Sequence, residues 1–194
     1  MIKILLYVTF HSLLYSEYDR IYNGYGFDLG SNGSGVFVTR QYMHSTSNFS
    51  LNGELRLYDI KSSDETFAYD YITGRYRSVG GKSLVMLPIF IGGNYYPFNE
   101  KIENNFSPLI AVRFGGVMSF DGKETGRFSQ RWSNPDTQLT PGSFLGIGID
   151  FRMENQRAVS AMIGFELLPL KYEFDNMDNY SGGLIHISFN FRSK

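Results

Sequence analysis

The sequence predicts an all-β fold: an eight-stranded antiparallel up-and-down transmembrane β-barrel with a filled polar lumen. Three observations carry that prediction. Large apolar and polar residues alternate with period two along most of the chain, ending in Ile185-His186-Ile187-Ser188-Phe189-Asn190-Phe191. The alternating stretches run about 10 residues or a little more, the length a tilted membrane strand requires. The connections between them alternate short and long, as in barrels with tight periplasmic turns and longer external loops.

Composition agrees. The 194 residues fit one domain, and 17 Phe, 14 Tyr and 21 Gly suit strands, interfacial rings and tight turns. A net charge of -1 gives no basic footprint for nucleic acid. The mean hydropathy of -0.22 would ordinarily indicate a soluble protein. A membrane barrel escapes that inference, because only every second strand residue meets lipid. With no cysteine, a disulfide scaffold and a thiolate metal site are both excluded. No stretch reaches the roughly 18 consecutive apolar residues of a membrane helix.

In chain order, Lys3 precedes an apolar run from Ile4 to Phe10, extended by Leu13-Leu14. This predicts a signal peptide over 1–16, cleaved near Ser16, and a single barrel domain over 17–194. The alternative is a first strand or a buried arm. After a polar lead (Glu17 to Asn23), Gly24 to Gly30 and Gly35 to Tyr42 read as two strands about a Ser31-Asn32-Gly33 turn. A single long kinked strand is the other option, but seven strands would break the even count a barrel needs. Further strands are expected over Phe49 to Ile60, Ser83 to Tyr96, Phe106 to Phe120, Ser143 to Met153, Ala158 to Leu168 and the final stretch. Pro88 is awkward, since proline cannot donate to a ladder. Long polar loops are expected over Lys61 to Gly81 and Asp121 to Thr140, and another loop over Glu173 to Ser181.

Phased against Ile187, Phe189 and Phe191 as the lipid side, the opposite face collects Asp28, Glu54, Arg56, Arg113, Asp150, Arg152, Glu166 and His186. Burying isolated charges costs several kcal/mol each unless they are paired. Both signs are present, so a mutually satisfied lumen network is expected, with Gly26, Gly92, Gly115, Gly146, Gly148 and Gly164 making room for the arginines. Eight strands enclose space just wide enough for side chains to fill. A plugged barrel, not an open pore, follows. Tyr71, Arg75, Tyr76, Arg77, Arg131 and Trp132 fall in the long loops, where binding functions concentrate.

On this strand count, alternation, loop parity, the Tyr95-Tyr96-Pro97-Phe98 strand end and the aromatic last strand, the chain resembles the small outer-membrane β-barrel proteins of Gram-negative bacteria, of the OmpX/OmpA-barrel type. The likeness spans about Gly24 to Phe191. It implies the cell outer membrane as location, and lipid and lipopolysaccharide as surroundings. It implies assembly-machinery recognition through Phe189 and Phe191, and a monomer. The implied role is non-enzymatic, structural or surface-binding through the external loops, with no cofactor and no metal. Three residues trail Phe191, and His186 stands where the group often has glycine. Two rivals stand beside this reading. One is a soluble lipocalin-like barrel binding a small ligand, with its apolar faces inward. The other is a lipid A-modifying hydrolase, since His186-Ile187-Ser188 has the His-x-Ser spacing of outer-membrane deacylases. A carboxylate would have to orient that histidine. None follows in the chain, and Phe189 replaces the expected asparagine.

Overall fold

A computed structural model describes residues 18, 20–44, 46–60, 66–72, 74–79, 84–99, 105–123, 128–153, 157–174 and 177–193. The expected signal peptide and the Glu154-Asn155-Gln156 turn lie outside these residues. Among the described residues there are twelve strands: β1 (Arg20–Gly30), β2 (Gly33–Met43), β3 (Phe49–Ile60), β4 (Thr66–Asp70), β5 (Arg75–Val79), β6 (Leu84–Tyr95), β7 (Phe106–Asp121), β8 (Asp136–Met153), β9 (Arg157–Leu167), β10 (Pro169–Phe174), β11 (Met177–Asn179) and β12 (Gly182–Arg192). One helical turn, α1 (Phe128–Arg131), precedes β8.

Eight of the strands close an antiparallel barrel in the order β1-β12-β9-β8-β7-β6-β3-β2. Closure leaves no strand edge unpaired, which a membrane demands of any sheet that crosses it. The β1–β2 pair settles the one-or-two-strand question: Leu29 pairs with Ser34 across a tight turn. Ile147 and Ile149 are 59 % and 47 % exposed, whereas Asp150, next along β8, is 5 % exposed. The apolar face therefore points outward and the charged face inward. A lipocalin-like arrangement requires the reverse.

The outward belt includes Val36, Val38, Leu55, Leu57, Ile89, Ile91, Val112, Phe114, Leu145 and Ile163. At the short-turn end it finishes in aromatic pairs: Phe49 with Tyr95 at 4.7 Å, Phe106 with Phe151 at 5.0 Å and Tyr25 with Phe191 at 5.7 Å between ring centroids. Such girdles sit at the headgroup level. Pro88 causes a local break: the β3–β6 register passes from Leu55↔Ile89 to Tyr58↔Met86 without the pairs between. The β6–β7 ladder continues through Pro88↔Val117.

Several boundaries differ from expectation. β1 begins at Arg20, inside the segment read as a polar lead, because its pairing with β2 continues to Arg20↔Met43. β8 begins at Asp136, so the second polar loop is shorter; Thr137, Leu139 and Pro141 pair with Phe120, Met118 and Gly116 of β7. The loop over Glu173 to Ser181 contains part of a small β10–β11 sheet. β1 and β8 are barrel strands that run beyond the expected bounds, whereas β10 and β11 form a sheet of their own.

The lumen is also less polar than expected. Met86, Phe90 and Met162 are buried on the inward phase that the alternation assigns them, and Phe37 and Phe144 join them beside the charged groups. This changes the role of the inward glycines. A Cβ on Gly26 would overlap the Phe37 ring, and one on Gly164 would overlap the Phe144 ring. On Gly92 and Gly115 it would collide with a carbonyl oxygen on the neighbouring strand. These glycines accommodate aromatic rings and close strand approach, not the arginines.

Candidate functional site

The upper lumen, towards the long loops, is built around Arg56 of β3. Its Nη2 donates to Glu54 Oε2 at 2.5 Å and its Nε to the same oxygen at 3.0 Å. Nη1 donates to Tyr58 OH at 3.0 Å and to Glu166 Oε1 on β9. Asp28 Oδ2 on β1 lies 3.7 Å from Nη1 and accepts from Tyr58 OH at 2.8 Å. The rings of Phe90, Phe144 and Phe37 flank the guanidinium at 5.1, 5.1 and 5.9 Å. Arginine suits this position: its planar cation forms several hydrogen bonds while its faces rest on aromatic rings.

Glu54 links this cluster to Arg113 of β7, whose Nε donates to Glu54 Oε1 at 2.8 Å. The other Arg113 nitrogens donate to Gly93 O at 2.9 Å and Asn94 Oδ1 at 2.8 Å. His186 of β12 pairs through Nδ1 with Asp28 Oδ1 at 2.7 Å and stacks on Phe37 at 4.0 Å. Asp28, Glu54, Arg56, Arg113, Glu166 and His186 thus form one connected cluster drawn from five strands.

Asp150 and Arg152 make no direct ion pair with that cluster; Asp150 reaches it through Tyr96 and Asn94, which accepts from Arg113. Asp150 lies in the lower lumen and accepts from Tyr96 OH at 2.6 Å. Tyr96 in turn accepts from Gln41 Nε2 at 2.8 Å and Asn94 Nδ2 at 3.2 Å. Asn190 donates to Ser160 and Ser188, both at 3.0 Å. Arg152 is half-buried at the short-turn rim, its guanidinium 6.0 Å from the Tyr96 ring. Tyr96, fully buried, is a hub that sequence reasoning missed, since it reads there only as part of an aromatic strand end. Its inward phase, two residues on from Asn94, is the available signal.

The His186-Ser188 pair also looks different in three dimensions. An acid does reach the histidine, but it is Asp28, from 158 residues earlier in the chain. Ser188 Oγ accepts from Asn190, and both His186 and Ser188 are buried in the lumen, away from the lipid face.

Above the lumen, Leu168, Phe174, Tyr180, Leu184, Ile60 and Leu84 belong to the buried apolar cluster that covers the mouth. Gln138 of β8 holds the covering segment: its Oε1 accepts from the amides of Lys171 and Tyr172 at 2.9 and 3.2 Å, and its Nε2 donates to Tyr172 O at 3.2 Å. The small cavity left there, about 20 Å³ between Tyr58, Glu166 and Tyr180, has room for about one water.

The loop residues separate into two groups. Tyr71, Arg75 and Tyr76 lie on the β4–β5 hairpin, a two-stranded sheet of its own and not continuous with the barrel. Tyr69 anchors both partners, edge-on to Tyr71 and Tyr76 at 5.2 Å each. Tyr71 remains 91 % exposed. Trp132 follows α1 on the β7–β8 connection and is half-buried. The side chains of Arg77 and Arg131 lie outside the described residues.

No family model and no curated protein matches the sequence. Solved structures do match the fold. Neisserial surface protein A aligns with a TM-score of 0.58 at 8 % identity, over 89 % of this chain and 95 % of its own. A major outer membrane protein from Thermus thermophilus aligns with a TM-score of 0.51 at 11 % identity, over 89 % of this chain and 98 % of its own. The chain has the fold of the small outer-membrane β-barrels. A closed barrel with a lipid-facing belt is how proteins span the outer membrane, and this architecture places the chain there. Among the described residues, no group of three or more His, Cys, Asp or Glu is arranged to hold a metal.

Proposed function

We propose that the protein is a non-enzymatic outer-membrane barrel that binds at the cell surface through its β4–β5 hairpin. The carrying observation is the contrast between a filled lumen and a hairpin that projects Tyr71, Ile72 and Tyr76 into solvent. A lone two-stranded hairpin is at best marginally stable, so a partner that packs on it would add order as well as contact. Exposed tyrosines beside Arg75 suit a ligand with both rings or sugars and phosphate, and lipopolysaccharide at the same surface has that chemistry. Burial of His186 and Ser188 supports the non-enzymatic reading. The last strand, with Phe189 and Phe191 outward, is proposed as the segment the assembly machinery recognises. A monomer is proposed as the working state.

The test is binding of purified barrel to immobilised lipopolysaccharide. Tyr71→Ala with Tyr76→Ala is expected to weaken it at least 5-fold, and Arg75→Gln to weaken it mainly at low salt, with heat-modifiable gel mobility unchanged. Unaltered binding in the double variant would refute the hairpin as the site.

A further inference from the structure

The lipid-facing belt carries a groove of about 500 Å³, lined by Ile110, Ile147, Ile149, Ala161, Ile163 and Ile185 among others, with almost no polar surface. Register explains it. Pro108, Ile149, Ala161 and Ile187 form one outward row across four strands, and Ile110, Ile147, Ile163 and Ile185 form the next. Ala161 is the short side chain in a row of bulky ones, so the belt is dented there.

The same strand carries a cation at the membrane surface. The outward column of β9 reads Arg157, Val159, Ala161, Ile163. Arg157 is exposed and lies 5.7 Å over the ring of Phe191, within the aromatic girdle of the short-turn end. Girdle aromatics mark the headgroup level. Ala161 is four residues deeper, about 13 Å at the rise of a strand. On β9 the groove's lining stops at Ala161; Val159 and Arg157 continue the same outward column to the rim, so a phosphate at Arg157 would have its acyl chain directed along Val159 towards the dent.

We propose that this face is a seat for one glycerophospholipid of the periplasmic leaflet, with its phosphate on Arg157 and one acyl chain in the Ala161 groove. The choice of leaflet follows from Arg157 standing at the short-turn end. The seat rests on the outer-membrane barrel reading and adds a defined ligand to it. A basic side chain at the headgroup level is a recurrent way to hold an anionic headgroup.

Native mass spectrometry of the purified full chain in mild detergent tests it, with dioleoyl phosphatidylglycerol and dioleoylglycerol as probes. One retained phosphatidylglycerol per barrel is expected, and at least 5-fold less dioleoylglycerol. Ala161→Phe fills the groove and Arg157→Gln removes the cation; each is expected to lower phosphatidylglycerol retention at least 5-fold. Arg157→Gln lies at the rim, so it remains informative if Ala161→Phe fails to fold. Retention unchanged in both variants overturns the proposal. So does equal retention of the two probes, or a dimer that carries no lipid, which would assign the face to a second copy. Wild-type chain lacking heat-modifiable mobility would overturn the barrel reading itself, and the seat with it.

Discussion

Towards the long loops, the lumen holds Arg56 among Glu54, Glu166, Asp28 and three aromatic rings. Towards the short turns, the same eight strands enclose Gln41, Ser50, Asn94, Ser160, Ser188 and Asn190 around Tyr96 and Asp150. The upper half is filled with charges that satisfy one another, so each member depends on the others. The lower half uses mostly neutral groups whose individual bonds are weaker. The difference teaches where this barrel is vulnerable: loss of one partner is costly above and modest below.

Removing the central cation breaks that comparison most severely. Arg56→Met is expected to destabilise the folded barrel by about 3–5 kcal/mol, because it leaves buried carboxylates without their counter-ion. Urea unfolding in detergent micelles, followed by heat-modifiable mobility, measures it. Adding Glu166→Gln to that variant is expected to recover part of the loss. If Arg56→Met were neutral, the upper cluster would not be a mutually dependent unit.

The belt supplies the next largest effect. Ile147→Arg puts a charge on the lipid side of β8 and is expected to cost about 2–4 kcal/mol near the bilayer midplane. The same assay serves, and a wild-type midpoint would place Ile147 outside the hydrocarbon. In the lower lumen, Tyr96→Phe removes the donor to Asp150 and the acceptor for Gln41. A loss of about 1–3 kcal/mol is expected for such unsatisfied buried groups. Asn190→Ala, which releases only two serine hydroxyls, is expected to cost about 1 kcal/mol. Equal losses from Arg56→Met and Asn190→Ala would erase the distinction between the halves.

The same contrast explains what is legible in the sequence. Period-two alternation survives in every barrel strand because each crosses from one solvent to another with one face in lipid. The phase set by Ile187, Phe189 and Phe191 therefore suffices to orient Ile147 and Asp150 correctly. Charged residues stand out on an inner face, so the members of the upper cluster can be named; which of them meet cannot. Asp28 and His186 are far apart in sequence and become neighbours only when β1 pairs with β12. The neutral half is not visible, since Gln41, Ser50 and Ser160 look like ordinary polar strand positions. Two inward aromatics escape for a related reason. Phe37 and Phe144 follow the inner phase, but a polar lumen leaves no place for them, and the glycines beside them are then assigned to the arginines instead. Beyond the belt, at Asp136 to Gly142 and Pro169 to Asn179, strands persist without a lipid face and so leave no periodic mark.

The central claim is that each barrel strand puts one face in lipid and the other in a filled interior. The chain has no cysteine, so single-cysteine nitroxide labels are unambiguous. Labels at Leu145→Cys, Ile147→Cys and Ile149→Cys, in barrel reconstituted into phospholipid vesicles, can be probed for collision with oxygen and with a water-soluble nickel chelate. High oxygen and low nickel accessibility at all three, deepest at the centre of the belt, is the expected result. High nickel accessibility at Ile147 and Ile149 would contradict the account.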